Sequence, residues 1–332
     1  MKFVVSIPGL AHTIPMNKFV PQSLRALGHE VLVYNHERDN FVEKIRQKLS
    51  HSAFIAYKNE QLLALLDKEK PDVFFSIYGR TQTAQTIEAI KKRNILTASW
   101  WLNDPFELGF QLAPASTYDY YFSNSLYTQD AYRSKGVSNI HFLPVGIDTH
   151  IHKPAKDTQQ NKLYEVLFAG DFHPIREKIL ATLVRNNIPV SIMGPWNKKS
   201  MQENALLSPH FIRERRFFSP QEMVQAFQQS KIVLNIHSWL GRYDYGTNPR
   251  LFETNGCAAF QISDTKKEIP LLFEPNKEIV LYNNPEELIE QITYYLQHND
   301  KREQIAQAGY LRATEEHTYL KRMEQMLAVL TK

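Results

Sequence analysis

A chain of 332 residues can supply two domains of ordinary size, each with its own core. A hydrophobic share of 43% and a charged share of 22% describe a globular protein, and a formal charge of +4 is too small to argue for nucleic acid. That mild excess fits an acidic small-molecule ligand, or peripheral contact with an anionic membrane surface.

The lone cysteine, Cys257, excludes an intrachain disulfide and a thiolate metal cluster. The apolar run after Met1 is too short for a signal peptide, no stretch is long enough to cross a bilayer, and there is no Asn-x-Ser/Thr sequon. The expected compartment is the cytoplasm.

Along the chain, short apolar runs alternate with helical periodicity, the pattern of a parallel α/β sheet. In the first half, strands are expected at 2–7, 30–34, 72–77, 95–101, 118–123 and 141–145, with helices near 16–27, 40–66, 82–93 and 128–135. Leu143-Pro144-Val145-Gly146-Ile147-Asp148 and the polar run 155–162 read as a linker. The expected domains are therefore 1–154 and 155–332. The second half repeats the logic, with strands at 165–169, 190–193, 212–216, 232–236, 259–262 and 278–282. Helices are expected near 176–185, 220–229, 249–255 and 285–298, with one helical tail from 301 to the end. Ser219-Pro220-Gln221-Glu222 is a capping box with Pro at the first helical position, and Asn284-Pro285-Glu286-Glu287 nearly repeats it.

The densest chemical signal is the run Asn248 to Asp264. Asn248 suits a helix N-cap, Pro249 the first helical position, and Gly256 a left-handed stop. The short helix carries Arg250 at its N-terminus and Glu253 on its second turn. Exposed amides and a guanidinium make an anion site, and a carboxylate one turn on accepts from sugar hydroxyls. The segment also reads as an ordinary capped helix with a surface ion pair. Gly170-Asp171-Phe172-His173-Pro174-Ile175-Arg176-Glu177-Lys178 is a strand end leading into a helix, where Arg176 or Lys178 could meet phosphates or simply face solvent. Gly194-Pro195-Trp196 ends a strand at a place where backbone amides could hold a base, though Trp196 fits core packing equally.

Trp100-Trp101-Leu102-Asn103-Asp104-Pro105-Phe106 puts a carboxylate at the end of an apolar strand. Asp104 is thus a candidate general base, or an Asp–Pro turn. His12, in the loop after the first strand, is the rival base. Adjacent strand residues face opposite sides, so at most one of Trp100 and Trp101 can stack on a sugar. There is no G-x-G-x-x-G after the first strand and no P-loop, which argues against dinucleotide and NTPase functions. His150 and His152 lack a third ligand at fitting spacing, so no metal site is expected.

These motifs resemble the CgeB-like, spore-maturation type of GT-B glycosyltransferase. The resemblance rests on Val233-Leu234-Asn235-Ile236-His237, on Gly246-Thr247-Asn248-Pro249-Arg250-Leu251-Phe252-Glu253, on the stretch from Phe273 to Tyr282, on Pro285-Glu286-Glu287-Leu288, on Arg302 to Gly309, and on Glu316 to Met323. It covers most of 164–330. It is thinner in the first half, where it rests on Trp101 to Phe106 and Leu143 to Asp148.

The resemblance implies a GT-B fold, two Rossmann-like domains facing an interdomain cleft. It also implies metal-independent transfer from a nucleotide-sugar, a UDP-sugar above all, to a glycan, glycoconjugate or protein acceptor. The nucleotide-sugar would be a co-substrate, with no other cofactor. Arg250 with Arg176 or Lys178 would take the diphosphate charge, and Glu253 matches the family carboxylate expected on the ribose. Many retaining GT-B enzymes carry a second Glu eight positions earlier; Tyr245 stands there, with Asp244 beside it as a substitute contact to the donor sugar. That departure keeps two alternatives open, a non-catalytic nucleotide-sugar-binding scaffold or sensor and a nucleotide-sugar epimerase of the same fold.

Overall fold

Runs such as Val73–Ile77, five residues buried without exception, have no polar face to offer water and can only be interior strands. In the computed structural model, which describes residues 1–9, 16–37, 40–108, 114–156 and 162–331, they form two parallel sheets. The chain divides into two units, Met1–Val145 with Tyr319–Lys332, and Gly146–Thr318.

The first unit holds strands β1 (Lys2–Ile7), β2 (Glu30–Asn35), β3 (Val73–Ile77), β4 (Leu96–Trp101), β5 (Tyr120–Ser123) and β6 (Ile140–Phe142). Its helices are α1 (Met16–Ala26), α2 (Phe41–Leu49), α3 (His51–Glu69), α4 (Ala84–Lys91) and α5 (Gln129–Arg133). The sheet order is β2-β1-β3-β4-β5-β6. The second unit holds β7 (Tyr164–Ala169), β8 (Val190–Met193), β9 (Ser230–Asn235), β10 (Gln261–Asp264) and β11 (Val280–Tyr282). Its helices are α6 (Pro174–Arg185), α7 (Asn204–Leu207), α8 (Pro220–Gln228), α9 (Pro249–Gly256), α10 (Ile269–Leu272), α11 (Pro285–Gln297) and α12 (Asn299–Glu316). Its order, β8-β7-β9-β10-β11, repeats the first five strands of the other sheet. Each sheet therefore reverses direction once, between β1 and β3 and between β7 and β9. Ligands of doubly wound sheets bind beyond the strand ends at that reversal.

Five expectations need correction. The helix expected over 40–66 is two helices, because Ser50 is extended, closing α2 through its backbone N–H and capping α3 through its hydroxyl. No strand forms at 212–216, where Arg213 and Arg216 reach Glu222 and Arg215 bonds Asn204 and Ser208. The chain touches β8 only through an isolated bridge between Phe211 and Ile192. The tail breaks at His317, whose Nε2 meets the Leu272 carbonyl at 2.7 Å, and α13 (Tyr319–Leu330) returns to pack on α1 of the first unit. Gly256 stays helical, and the left-handed residue is Ala258 at φ 51°. A Cβ on Gly256 would come within 2.9 Å of Ile147 Cδ1, so close packing demands the glycine. The unit boundary at Val145/Gly146 also lies earlier than the expected 154/155, because Ile147 is hydrogen-bonded to His317 and buried beside α9.

Gly309 shows how tightly α12 is seated. A Cβ there would lie 2.4 Å from the Glu278 carbonyl oxygen and 2.9 Å from Asn255 Oδ1. In an unpacked helix Gly→Ala stabilises by roughly 0.5–1 kcal/mol. Gly309→Ala should instead destabilise by roughly 1–3 kcal/mol in urea unfolding, as overpacking does. A gain in stability would contradict this packing.

Candidate functional site

The reversal in the second sheet carries the cation. After β7 the chain turns through Gly170, Asp171 and Phe172, and His173 caps α6 with Pro174 at its first position. This start places Arg176 in the first turn, buried, under the ends of both strands that flank the reversal. Its Nε donates to the Ile236 carbonyl just beyond β9 at 2.8 Å. Its Nη1 donates to the Asp171 carbonyl at 3.2 Å and also to the Asp171 carboxylate. Burial lowers its pKa, Asp171 opposes that, and Arg250 is near enough to lower it further. The guanidinium nonetheless stays charged. Lys178 is exposed on the other side of the same helix. The structure thus separates the two candidates and keeps only Arg176 at the strand ends.

Gly194 follows β8 at φ +152°, and a Cβ on it would fall 1.9 Å from the Gly170 carbonyl oxygen. Glycine is obligatory there because two strand-end loops touch backbone to backbone. Trp196 is buried and donates from Nε1 to the same Gly170 carbonyl at 2.9 Å, so it is core and not a base platform.

α9 forms as its sequence implies. Asn248 accepts from Leu251 N at 3.2 Å, and it exchanges two amide hydrogen bonds with Asn235 of β9, at 2.8 and 3.1 Å. The helix start is thereby fixed to the strand end. Arg250 Nη1 meets Glu253 Oε2 at 2.8 Å and also donates to Met223 Sδ, with the guanidinium 5.0 Å from the Phe227 ring centre. Glu253 is buried, and its Oε1 lies 4.0 Å from His152 Nε2. His152 Nδ1 lies 3.1 Å from both the backbone N and the carbonyl oxygen of Asp148, which fixes the ring with Nε2 toward the carboxylate. Burial lowers the His152 pKa more than Glu253 raises it, so the ring is neutral near pH 7. Arg250 and Glu253 are therefore a preformed pair, held among aromatic rings and a neutral histidine. His150 is exposed while His152 is buried, so the two do not share an ion.

A second cluster lies alongside, and the sequence reading missed it. The β9–β10 register pairs Asn235 with Ser263, bringing the residues that follow together. His237 Nδ1 donates to Asp264 Oδ1 at 2.8 Å, and Asp264 Oδ2 lies 2.9 Å from Lys266 Nζ, all three side chains buried. Burial alone would raise the Asp264 pKa, but His237 and Lys266 outweigh it and keep the carboxyl ionised. His237 is held neutral by burial, which leaves Nε2 an acceptor with no partner among the described residues. The signal was a His and an Asp just beyond two neighbouring apolar runs, and it is visible only once the register is known. Asp244 is exposed on the loop above and pairs with Lys267 at 2.9 Å, while the Tyr245 carbonyl accepts from Trp239 Nε1.

In the first unit, Asp104 does not stand where an acceptor hydroxyl could reach it. It is fully buried, accepting from Ser123 Oγ at 2.6 Å and Tyr132 OH at 3.2 Å. Burial raises its pKa to about 7 against the opposing pull of those hydroxyls. The general-base expectation is corrected to a structural role, that of joining the loop after β4 to the end of β5. Trp100 and Trp101 are both buried, and Trp100 Nε1 donates to the Leu143 carbonyl at 2.7 Å, so neither offers a face to a sugar. His12 lies outside the described residues.

A family model described as glycosyl transferase-like matches residues 176–328, from Arg176 through α9 and into α13. The chain is 22% identical over 282 residues to the spore protein CgeB of Bacillus subtilis (strain 168), covering 82% of this chain and 87% of that one. Among solved structures, it superposes on sucrose-phosphate synthase from Thermosynechococcus elongatus with a TM-score of 0.73 at 11% identity, over 100% of this chain and 99% of that one. It superposes on Anabaena HepE in complex with UDP and glucose with a TM-score of 0.66 at 13% identity, again over 100% and 99%. The fold is thus that of the GT-B glycosyltransferases, and residues 176–328 are glycosyl transferase-like. The chain is similar to the CgeB kind.

Asp104 gives a test by pH. The unfolded chain releases this proton near pH 4 and the folded chain holds it to about pH 7, so the stabilisation is complete below pH 4 and lost on rising to 7. Relative to Asp104→Asn, the wild-type protein should lose on the order of 3–4 kcal/mol across that window in urea unfolding at stepped pH. Parallel pH profiles would contradict the buried carboxyl.

Proposed function

We propose that the chain moves a sugar from a nucleotide-sugar, a UDP-sugar, to a glycan, glycoconjugate or protein acceptor, without a bound metal. The observation that carries this reading is Arg176, a buried guanidinium at the strand reversal of the second unit with the Arg250–Glu253 pair near it. Glycosyl transfer leaves a nucleoside diphosphate, and negative charge grows on it as the glycosidic bond breaks. Fixed cations and helix N-termini stabilise that charge without reorganising. Arg176 and the start of α6 would meet one phosphate, and Arg250 and the start of α9 the other. Glu253 would accept from the ribose diol, exchanging part of its hold on Arg250 for the hydroxyls. Asp244, exposed on its loop, would contact the donor sugar. The backbone at Gly194 would lie beside the base.

The UDP in the Anabaena HepE complex supports the choice of nucleotide, on a shared fold. The experiment is incubation with UDP-, GDP-, dTDP- and CMP-sugars in EDTA, followed by assay of released nucleotide. Release of UDP alone supports the reading. Binding of a UDP-sugar without release, with acceptors present, would favour a sensor, and conversion to an isomeric nucleotide-sugar would favour an epimerase.

Glu253→Ala should weaken UDP binding at least tenfold by calorimetry and, because it strips the Arg250 guanidinium of its buried carboxylate, should also unfold at a lower urea concentration than the wild type. Unchanged affinity would remove Glu253 from the site.

A further inference from the structure

A helix on the surface of an α/β unit ordinarily lays its apolar stripe on the core. α2 is turned the other way. The one residue it buries is Glu43, whose carboxylate meets Lys58 Nζ of α3 at 3.3 Å. Its apolar side chains face outward, with Phe41 74%, Val42 65%, Ile45 43% and Leu49 81% exposed. At 3.6 residues per turn these four fall within one stripe about 100° wide. Lys44 and Lys48 border the stripe on one side and Arg46 on the other. Both lysines are exposed, and the Arg46 guanidinium lies over the Tyr57 ring at 3.9 Å. The helix thus presents an apolar ridge with two lysines along one side and Arg46 on the other, and its only acid is turned inward and neutralised.

We propose that α2 is a docking element for an anionic lipid bilayer. It lies in the plane of the interface, with Phe41, Val42, Ile45 and Leu49 in the acyl boundary and Lys44, Arg46 and Lys48 on lipid phosphates. Charge decides against a second copy of this chain on the same patch. A two-fold contact sets a patch against itself, so these cations would face each other with no exposed acid of the helix to answer them. Size decides the same way. A nine-residue helix is about 13 Å long, too short to supply the roughly 800 Å² per partner of a stable protein interface. A bilayer needs no matching partner surface. The inference concerns the first unit and does not depend on the donor site of the second.

The test is sedimentation of the full chain with vesicles, of phosphatidylcholine alone or mixed equally with phosphatidylglycerol. The protein should bind the mixed vesicles and not the neutral ones, and lose binding as salt is raised. Phe41→Ser/Leu49→Ser and Lys44→Glu/Lys48→Glu should each weaken binding at least tenfold. Because all four positions are exposed, their urea unfolding curves should match the wild type. Absence of binding to mixed vesicles would overturn the proposal, as would equal binding by the variants. A wild-type dimer that Phe41→Ser/Leu49→Ser converts to monomer would also overturn it, in favour of self-association.

Discussion

The hydrogen bond from Arg176 to the Ile236 carbonyl joins the two strands on either side of a reversal in sheet direction, and the site in the second unit is organised around it. A parallel sheet opens at its strand ends where consecutive connections run to opposite sides. Here a guanidinium is buried in it, compensated by two carbonyls and one exposed carboxylate. Burying a charge against partial compensation is expensive, and stability alone rarely retains it. The surrounding residues serve the same arrangement. Gly194 lets two loops meet backbone to backbone, the Asn235–Asn248 amide pair fixes the start of α9, and α9 brings Arg250 and Glu253 into range.

The charged groups at these strand ends are sorted by partner. Asp264 is ionised because His237 and Lys266 both face it, and His237 is neutral because burial outweighs one carboxylate already shared with a lysine. Glu253 has a guanidinium on one oxygen and a neutral imidazole near the other. The positive charge facing these strand ends lies on Arg176 and Arg250, each paired with one carboxylate, Asp171 and Glu253. On the proposed reading this is the charge a departing diphosphate requires. It is held by the fold before any ligand arrives, so none of it has to be assembled as the bond breaks.

Much of this was legible in the sequence, and what was not has a common cause. Strand runs were readable because a strand covered on both faces must be largely apolar, as in Val73–Ile77, where Ser76 alone is polar. Helix starts were readable because caps are local, as at Ser219, Asn248 and Asn284. The failures are contacts between distant residues. Asp104 reads as a carboxylate at a strand end, but only the folding of Ser123 and Tyr132 around it decides that it is buried. Gly256 suits a helix stop, yet its neighbours Ile147 and His152 come from a linker more than a hundred residues away. His237 and Asp264 are partners only through the β9–β10 register. Arg176 and Lys178 look equivalent in the sequence and differ in the structure because two residues on a helix point to nearly opposite faces.

The most direct measurement is calorimetric titration of UDP, UMP and uridine into the wild-type protein and Arg176→Gln. If Arg176 holds a phosphate, wild type should bind UDP at least a hundredfold more tightly than uridine, and Arg176→Gln should cut that ratio tenfold or more while leaving uridine affinity nearly unchanged. A UDP-to-uridine ratio that the substitution does not alter would contradict the account, since the buried cation at the strand reversal would then have no part in binding the diphosphate.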